Sequence, residues 1–147
     1  MKRILTIIIL VAVVAGGWYA YKKFTGKVKS LTEAPTDARL SAVELLAAFE
    51  KDSAAANRSY LGKVLEVTAP VKSVEQEEGS ATVLLGADGA LSSIRCSMDS
   101  AFVKEAAGLN PGGATTVKGV CTGYNPDEMG LGADVVLNRC VLIAPKK

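Results

Sequence analysis

Three cysteines, two adjacent carboxylate pairs and one glycine-rich turn are the residues of this 147-residue chain whose types could do chemistry. Cys96, Cys121 and Cys140 could form a disulfide or hold a soft metal. Glu77-Glu78 and Asp127-Glu128 could share a proton, and Gly130-Leu131-Gly132-Ala133-Asp134 superficially has the form of a phosphate or calcium turn. The chain has no histidine. That removes the commonest general base, the commonest zinc ligand and the partner of most serine and cysteine nucleophiles. Paired carboxylates reach catalytic pKa values through burial, but both pairs here fall in turn-forming stretches and read as solvated charges. The glycine turn leads into a strand-like segment and lacks partner ligands, and the cysteine spacing is not a zinc pattern. The residues therefore point to no catalytic centre, no metal site and no cofactor, and the expectation is a protein that is not an enzyme.

The elements that must position these residues begin with a helix. Ser41 and Glu44 form a capping box, after which Ala42, Leu45, Phe49, Ala56 and Tyr60 recur at helical spacing and Gly62 supplies the stop. The period then changes to strands. Lys63–Val74, Ala81–Gly86 and Ser92–Met98 read as three, separated by turns at Glu77–Ser80 and Asp88-Gly89. Asp99–Leu109 returns to helical spacing and ends at Asn110-Pro111-Gly112-Gly113. Thr115–Thr122 and Asp134–Ile143 are the fourth and fifth strands, around a loop at 125–133. Three strands in a meander, a helix, then a hairpin is the order of a five-stranded Greek-key OB barrel, mainly β, preceded here by one helix. A small SH3-like barrel or an unrelated α+β sheet is the alternative. Ala69-Pro70 in the first strand signals a bulge or an edge position, since proline gives no ladder hydrogen bond.

The strand assignment places Cys96 on the third strand, Cys121 at the end of the fourth and Cys140 on the fifth. In an OB barrel the fifth strand lies beside both others, so Cys121 with Cys140 is the candidate disulfide, with Cys96–Cys140 or three buried thiols as the alternatives. A symmetric hairpin about the 125–133 loop would set Cys121 opposite Leu137, so the first pairing needs an asymmetric loop or a bulge. Arg95, Lys118 and Arg139 on strands, with Tyr124 at a loop mouth, are the candidate ligand-binding face, although each also has an ordinary structural role open to it. Barrels that hold single strands of nucleic acid stack bases on aromatics over a basic groove. Phe49, Tyr60 and Phe102 are better explained as packing residues.

Charge is divided unevenly along the chain. Residues 1–30 carry six basic residues and no acid, whereas residues 31–147 carry 11 basic against 15 acidic, a net of −4. The eighteen uncharged residues Ile4–Tyr21 would span roughly 27 Å as a helix, enough for a bilayer core. Lys2 and Arg3 precede them, and Trp18, Tyr19, Tyr21, Lys22 and Lys23 follow as an interfacial belt and anchor. Residues 1–23 therefore read as a transmembrane signal anchor, with a signal peptide cleaved near Ala15 as the alternative. Residues 24–40 read as a linker and 41–147 as the helix and barrel domain. Four lysines after the apolar run, against two basic residues before it, favour a cytoplasmic domain by the positive-inside rule. The Met-Lys-Arg start favours export. The expectation is a single-pass protein of the inner (cytoplasmic) membrane with its domain on the periplasmic side.

Ser41-x-x-Glu44-Leu45-Leu46-x-Ala48-Phe49, Asp52, Ala55-Ala56-Asn57 and Tyr60-x-Gly62-Lys63 resemble the opening of the tRNA-anti-like OB-fold family of bacterial proteins. Val117-Lys118-Gly119-x-Cys121-x-Gly123-Tyr124 and Val135-Val136-Leu137-x-x-Cys140 are similar to its closing strands. The resemblance implies an OB barrel behind an N-terminal helix, often on an exported or membrane-tethered chain, and implies little about activity. The function expected is a non-catalytic, membrane-tethered binding or scaffold module of the cell envelope; the alternative is a nucleic-acid-binding barrel facing the cytoplasm. The loops flanking the usual OB ligand face carry Glu77, Glu78, Asp127 and Glu128, so a protein or peptide partner, or a cationic ligand, is expected ahead of nucleic acid.

Overall fold

Ser41 ends one strand and starts one helix, and its capping box sets the angle between them. In the computed structural model, which describes residues 31–128, 130 and 132–143, the Ser41 backbone N–H donates to Glu44 Oε2 at 2.8 Å and Glu44 N–H donates back to Ser41 Oγ. Before it runs strand β1 (Ala38–Ser41), and after it helix α1 (Ala42–Lys51). The helical stretch expected as one element is two. Asp52 adopts an extended conformation, closes α1 and accepts from Ala55 N–H as N-cap of α2 (Ser53–Tyr60). An aspartate that can satisfy an orphan donor competes with helix continuation. Gly62, at φ +76°, ends the helical region as expected.

Five longer strands follow: β2 (Val64–Glu77), β3 (Ser80–Leu85), β4 (Ser93–Met98), β5 (Ala114–Asn125) and β6 (Asp134–Ile143). Between β4 and β5 lie a 3₁₀ turn (Ser100–Phe102), capped by Asp99, and helix α3 (Val103–Ala107). Neighbours run β2-β3-β4-β6-β5, with β5 paired back to β2, so the sheet closes into a five-stranded barrel with β4 and β6 parallel. This is the OB order expected from the sequence. The proline in β2 falls where the strand changes partners. Residues 64–70 pair with β5 and residues 71–77 with β3, and Lys72 is the extra residue of a bulge directly after Pro70. The bend lets one long strand serve both sides of the closure.

The barrel interior is filled by alternate residues. Leu65, Val67, Val71, Val83, Leu85, Ile94, Cys96, Val117, Cys121, Val135, Leu137 and Cys140 form one buried cluster, into which α1 inserts Leu45 and Phe49.

Residues 31–40, which read as linker by composition, lie against the barrel. Leu31 is buried. Asp37 and Val64 exchange bonds: Asp37 N–H to Val64 O at 2.8 Å, and Val64 N–H to Asp37 Oδ2 at 2.8 Å. β1 then pairs parallel to β2 over Ala38–Ser41. Lys118 clamps the strap from β5 by donating from Nζ to the Ala34 carbonyl. The leader residues Lys2, Arg3, Trp18, Tyr19, Tyr21, Lys22 and Lys23 lie outside the described residues. Among the described residues, no helix is long and apolar enough to cross a membrane.

Candidate functional site

The strand alternation that buries Val83 and Cys96 turns Thr82, Leu84, Arg95 and Ser97 outward on β3 and β4, where OB barrels usually take a ligand. Arg95 is partly exposed there, and its Nη1 pairs with Glu75 Oε2 of β2 at 3.6 Å. Lys118 is only 5% exposed, its ammonium spent on the strap. Arg139 is exposed, and at φ +56° it is the extra residue of a bulge in β6. The three cations thus occupy neighbouring strands without forming one basic surface. Tyr124 packs inward on Phe49, rings stacked with centroids 4.8 Å apart. Burial, helped by the carboxylates of Glu50 and Asp127, pushes its phenol above the ordinary tyrosine range. All four aromatics of the described residues, Phe49, Tyr60, Phe102 and Tyr124, pack in or against the core.

The bulge at Arg139 also decides the cysteine geometry. Cys121 lies opposite Leu137, as the symmetric hairpin predicts, while the extra residue shifts Cys140 to face Gly119 across the interior. A Cβ on Gly119 would come within 2.5 Å of Cys140 Sγ, so glycine makes room for the thiol. All three cysteines are buried free thiols in the structure, one of the three arrangements the sequence left open. In the β4–β6 register Cys140 lies opposite Met98, and interaction with the nearby Cys96 thiol, together with burial, raises its pKa well above the ordinary thiol value. Burial raises Cys121 as well, against an opposing backbone bond from Gly123. Cys121 and Cys140 are thus packing thiols held neutral by their surroundings. Among the described residues no cluster of cysteine, aspartate and glutamate could hold a metal ion.

A concave site lies elsewhere, beside α1. The buried stripe of that helix is Ala42, Leu45 and Phe49; a second stripe, Val43, Leu46, Ala47 and Glu50, follows the same i, i+3, i+4, i+7 spacing on an adjoining face. It forms one wall of a groove of about 420 Å³, faced by Gly86, Ala87, Ala90, Leu91 and Ser92 of the β3–β4 loop, with Asp127 at the edge. The loop wall is fixed from three directions. Lys72 Nζ donates to Ala90 O at 2.5 Å, Ser92 Oγ donates to Glu50 Oε1 at 3.2 Å, and Ser92 Oγ accepts from Ala133 N–H at 3.2 Å. Gly132 presses on the Leu91 backbone so closely that a Cβ there would meet the Leu91 carbonyl at 2.3 Å. Sequence reading missed this groove because its walls come from three separated segments. The signal available was the second apolar stripe of α1, which one-sided packing on a barrel does not use.

The tRNA_anti-like family matches residues 1–141. No curated protein matches the chain. The structure is similar to that of a lipoprotein from Klebsiella pneumoniae proposed to bind nucleic acid, at 16% identity and a TM-score of 0.58, over 75% of this chain and 99% of that one. An aspartyl-tRNA synthetase from Entamoeba histolytica shows 14% identity and a TM-score of 0.46 over 72% of this chain and 21% of its own. An asparaginyl-tRNA synthetase from Pyrococcus horikoshii shows 12% identity and a TM-score of 0.40 over 56% of this chain and 20% of its own. The chain thus spans about a fifth of each synthetase. Barrel order and a family match that runs almost end to end agree, and the chain belongs to the tRNA_anti-like family.

Proposed function

We propose that the protein is a non-catalytic, membrane-tethered OB-fold binding or scaffold module of the bacterial cell envelope, its domain on the periplasmic side and its partner a protein. The observation that carries the binding half is the state of the usual ligand face. Its arginine is ion-paired, the neighbouring lysine is buried in the strap, and the aromatics that could stack bases are packed in the core. The loops flanking that face carry Glu77, Glu78, Asp127 and Glu128, a field that repels phosphate. The tether rests on the apolar run Ile4–Tyr21 with its basic flanks, and the lipoprotein nature of the Klebsiella neighbour is in keeping with an envelope location.

Two measurements test the reading. Membrane fractionation with protease protection should find the full chain in the membrane fraction with its C-terminal domain protected inside the cell envelope. A soluble cytoplasmic product would remove the tether from the proposal. Fluorescence anisotropy with single-stranded DNA and RNA should show no binding at low salt, the condition most favourable to phosphate contacts. Tight binding at physiological salt would replace the protein-partner reading with the nucleic-acid one.

A further inference from the structure

We infer that the groove between α1 and the β3–β4 loop docks a protein segment presenting apolar side chains flanked by lysine or arginine. This rests on the reading of the protein as a binding module and names where and what it binds. The apolar walls set the first requirement. Val43 is 69% exposed and Leu91 65% exposed, and they face one groove together with the half-buried Leu46. A single exposed leucine needs no explanation, but a concave apolar site whose backbone is already fixed does. The loop that presents Leu91 is held by Lys72, Ser92 and Gly132, so a ligand would not have to order it on binding.

Charge sets the second requirement. Among the described residues, the titratable side chains lining the groove are Glu50 and Asp127, both acids, while the Lys72 ammonium is engaged by the Ala90 and Leu91 carbonyls of the loop wall. Glu50 already accepts from Ser92 and so is held in place at the rim. A cation on the incoming segment would meet a fixed carboxylate beside an apolar floor, the arrangement that gives orientation as well as attraction. An acidic or phosphorylated segment would be repelled by the same two groups.

The test uses the full chain in phosphatidylcholine nanodiscs, methyl NMR, and a short peptide carrying adjacent leucines flanked by arginine and lysine. Saturable shifts should appear at the methyls of Val43, Leu46 and Leu91. Val43→Asn and Leu91→Asn should each weaken the peptide about tenfold, because each removes apolar contact and sets an unpaired neutral polar group against the ligand. Leu61→Glu, at an exposed leucine that does not line the groove, should leave affinity unchanged, and unshifted core methyls will show that each variant folds. Equal binding of a peptide with glutamates in place of its basic residues would overturn the inference, as would the absence of any saturable shift. Shifts centred instead on Leu84 and Thr82 would overturn the groove while leaving the binding module standing. Loss of peptide binding together with oligonucleotide binding on that outer face would overturn both.

Discussion

Gly119 is the residue on which the barrel interior turns. It sits opposite the Arg139 bulge, and the space where its Cβ would lie is filled by Cys140 Sγ at 2.5 Å and Leu137 Cβ at 3.2 Å. Gly119→Ala should therefore destabilise the domain by about 1–3 kcal/mol through overpacking. Combined with Cys140→Ala, which removes the nearest atom, the loss should be less than additive in a chemical-denaturation double-mutant cycle. Ser41 works at the surface instead. Its backbone N–H and hydroxyl both bond the Glu44 carboxylate and hold its pKa below the ordinary glutamate range. Ser41→Ala should cost about 1 kcal/mol near neutral pH, the usual cost of losing an N-cap. A carboxylate with a depressed folded pKa contributes stability above its unfolded pKa, and that contribution fades as pH falls through the folded one. Thermal melts of wild type and Ser41→Ala should thus draw closer in acid without meeting, because the bond from Glu44 N–H to Ser41 Oγ does not titrate. Equal separation at neutral and acid pH would show that the bond between the Ser41 hydroxyl and the Glu44 carboxylate adds nothing to the cap.

At the scale of elements, the strap shows how a segment can fold without announcing itself. Residues 31–40 carry no apolar period because they need none: polar contacts to Lys118, Val64 and Glu66, a short parallel ladder and a buried Leu31 hold them. β1 is four residues long and pairs on one side, too short for alternation to show. Lys118→Met keeps the apolar stem and removes the donor, so the Ala34 carbonyl loses its partner. The expected cost is about 1–3 kcal/mol, with faster hydrogen exchange confined to residues 31–37 and β1; unchanged exchange there would mean that Lys118 does not hold the strap. The helix break at Asp52 was hidden for a related reason. The alanine run 54–56 advertises a helix so strongly that the cap inside it reads as one more polar residue. By contrast the barrel was legible. Its strands alternate, their turns carry glycine, and the helix between β4 and β5 falls where the OB order requires it.

Over the whole molecule, what sequence could not display is what distant segments build together. The candidate face of Arg95, Lys118, Tyr124 and Arg139 was drawn from residue types on strands, and residue type does not reveal that Glu75 and Ala34 already engage two of them or that Phe49 covers a third. The groove beside α1 needs residues 43–50, 86–92 and 127 at once. Net charge, however, is legible without a fold, and it makes a prediction at this scale. Reversing Glu77, Glu78, Asp127 and Glu128 to lysine should create salt-sensitive DNA binding in a gel shift without unfolding the barrel. If DNA binding does not change, the loop charges do not govern what the outer face accepts. The strap has a mechanical consequence as well. Whatever holds the N-terminal segment, a pull on Leu31 does not load the barrel at once. Between Leu31 and β1 such a pull meets the Lys118 latch on Ala34, then the Thr36–Glu66 hydrogen bond and the Asp37–Val64 exchange, and beyond them the parallel β1–β2 ladder. A domain so built would give up the strap's side-chain bonds before its β1–β2 ladder, the order in which a pull from the N-terminal side meets them.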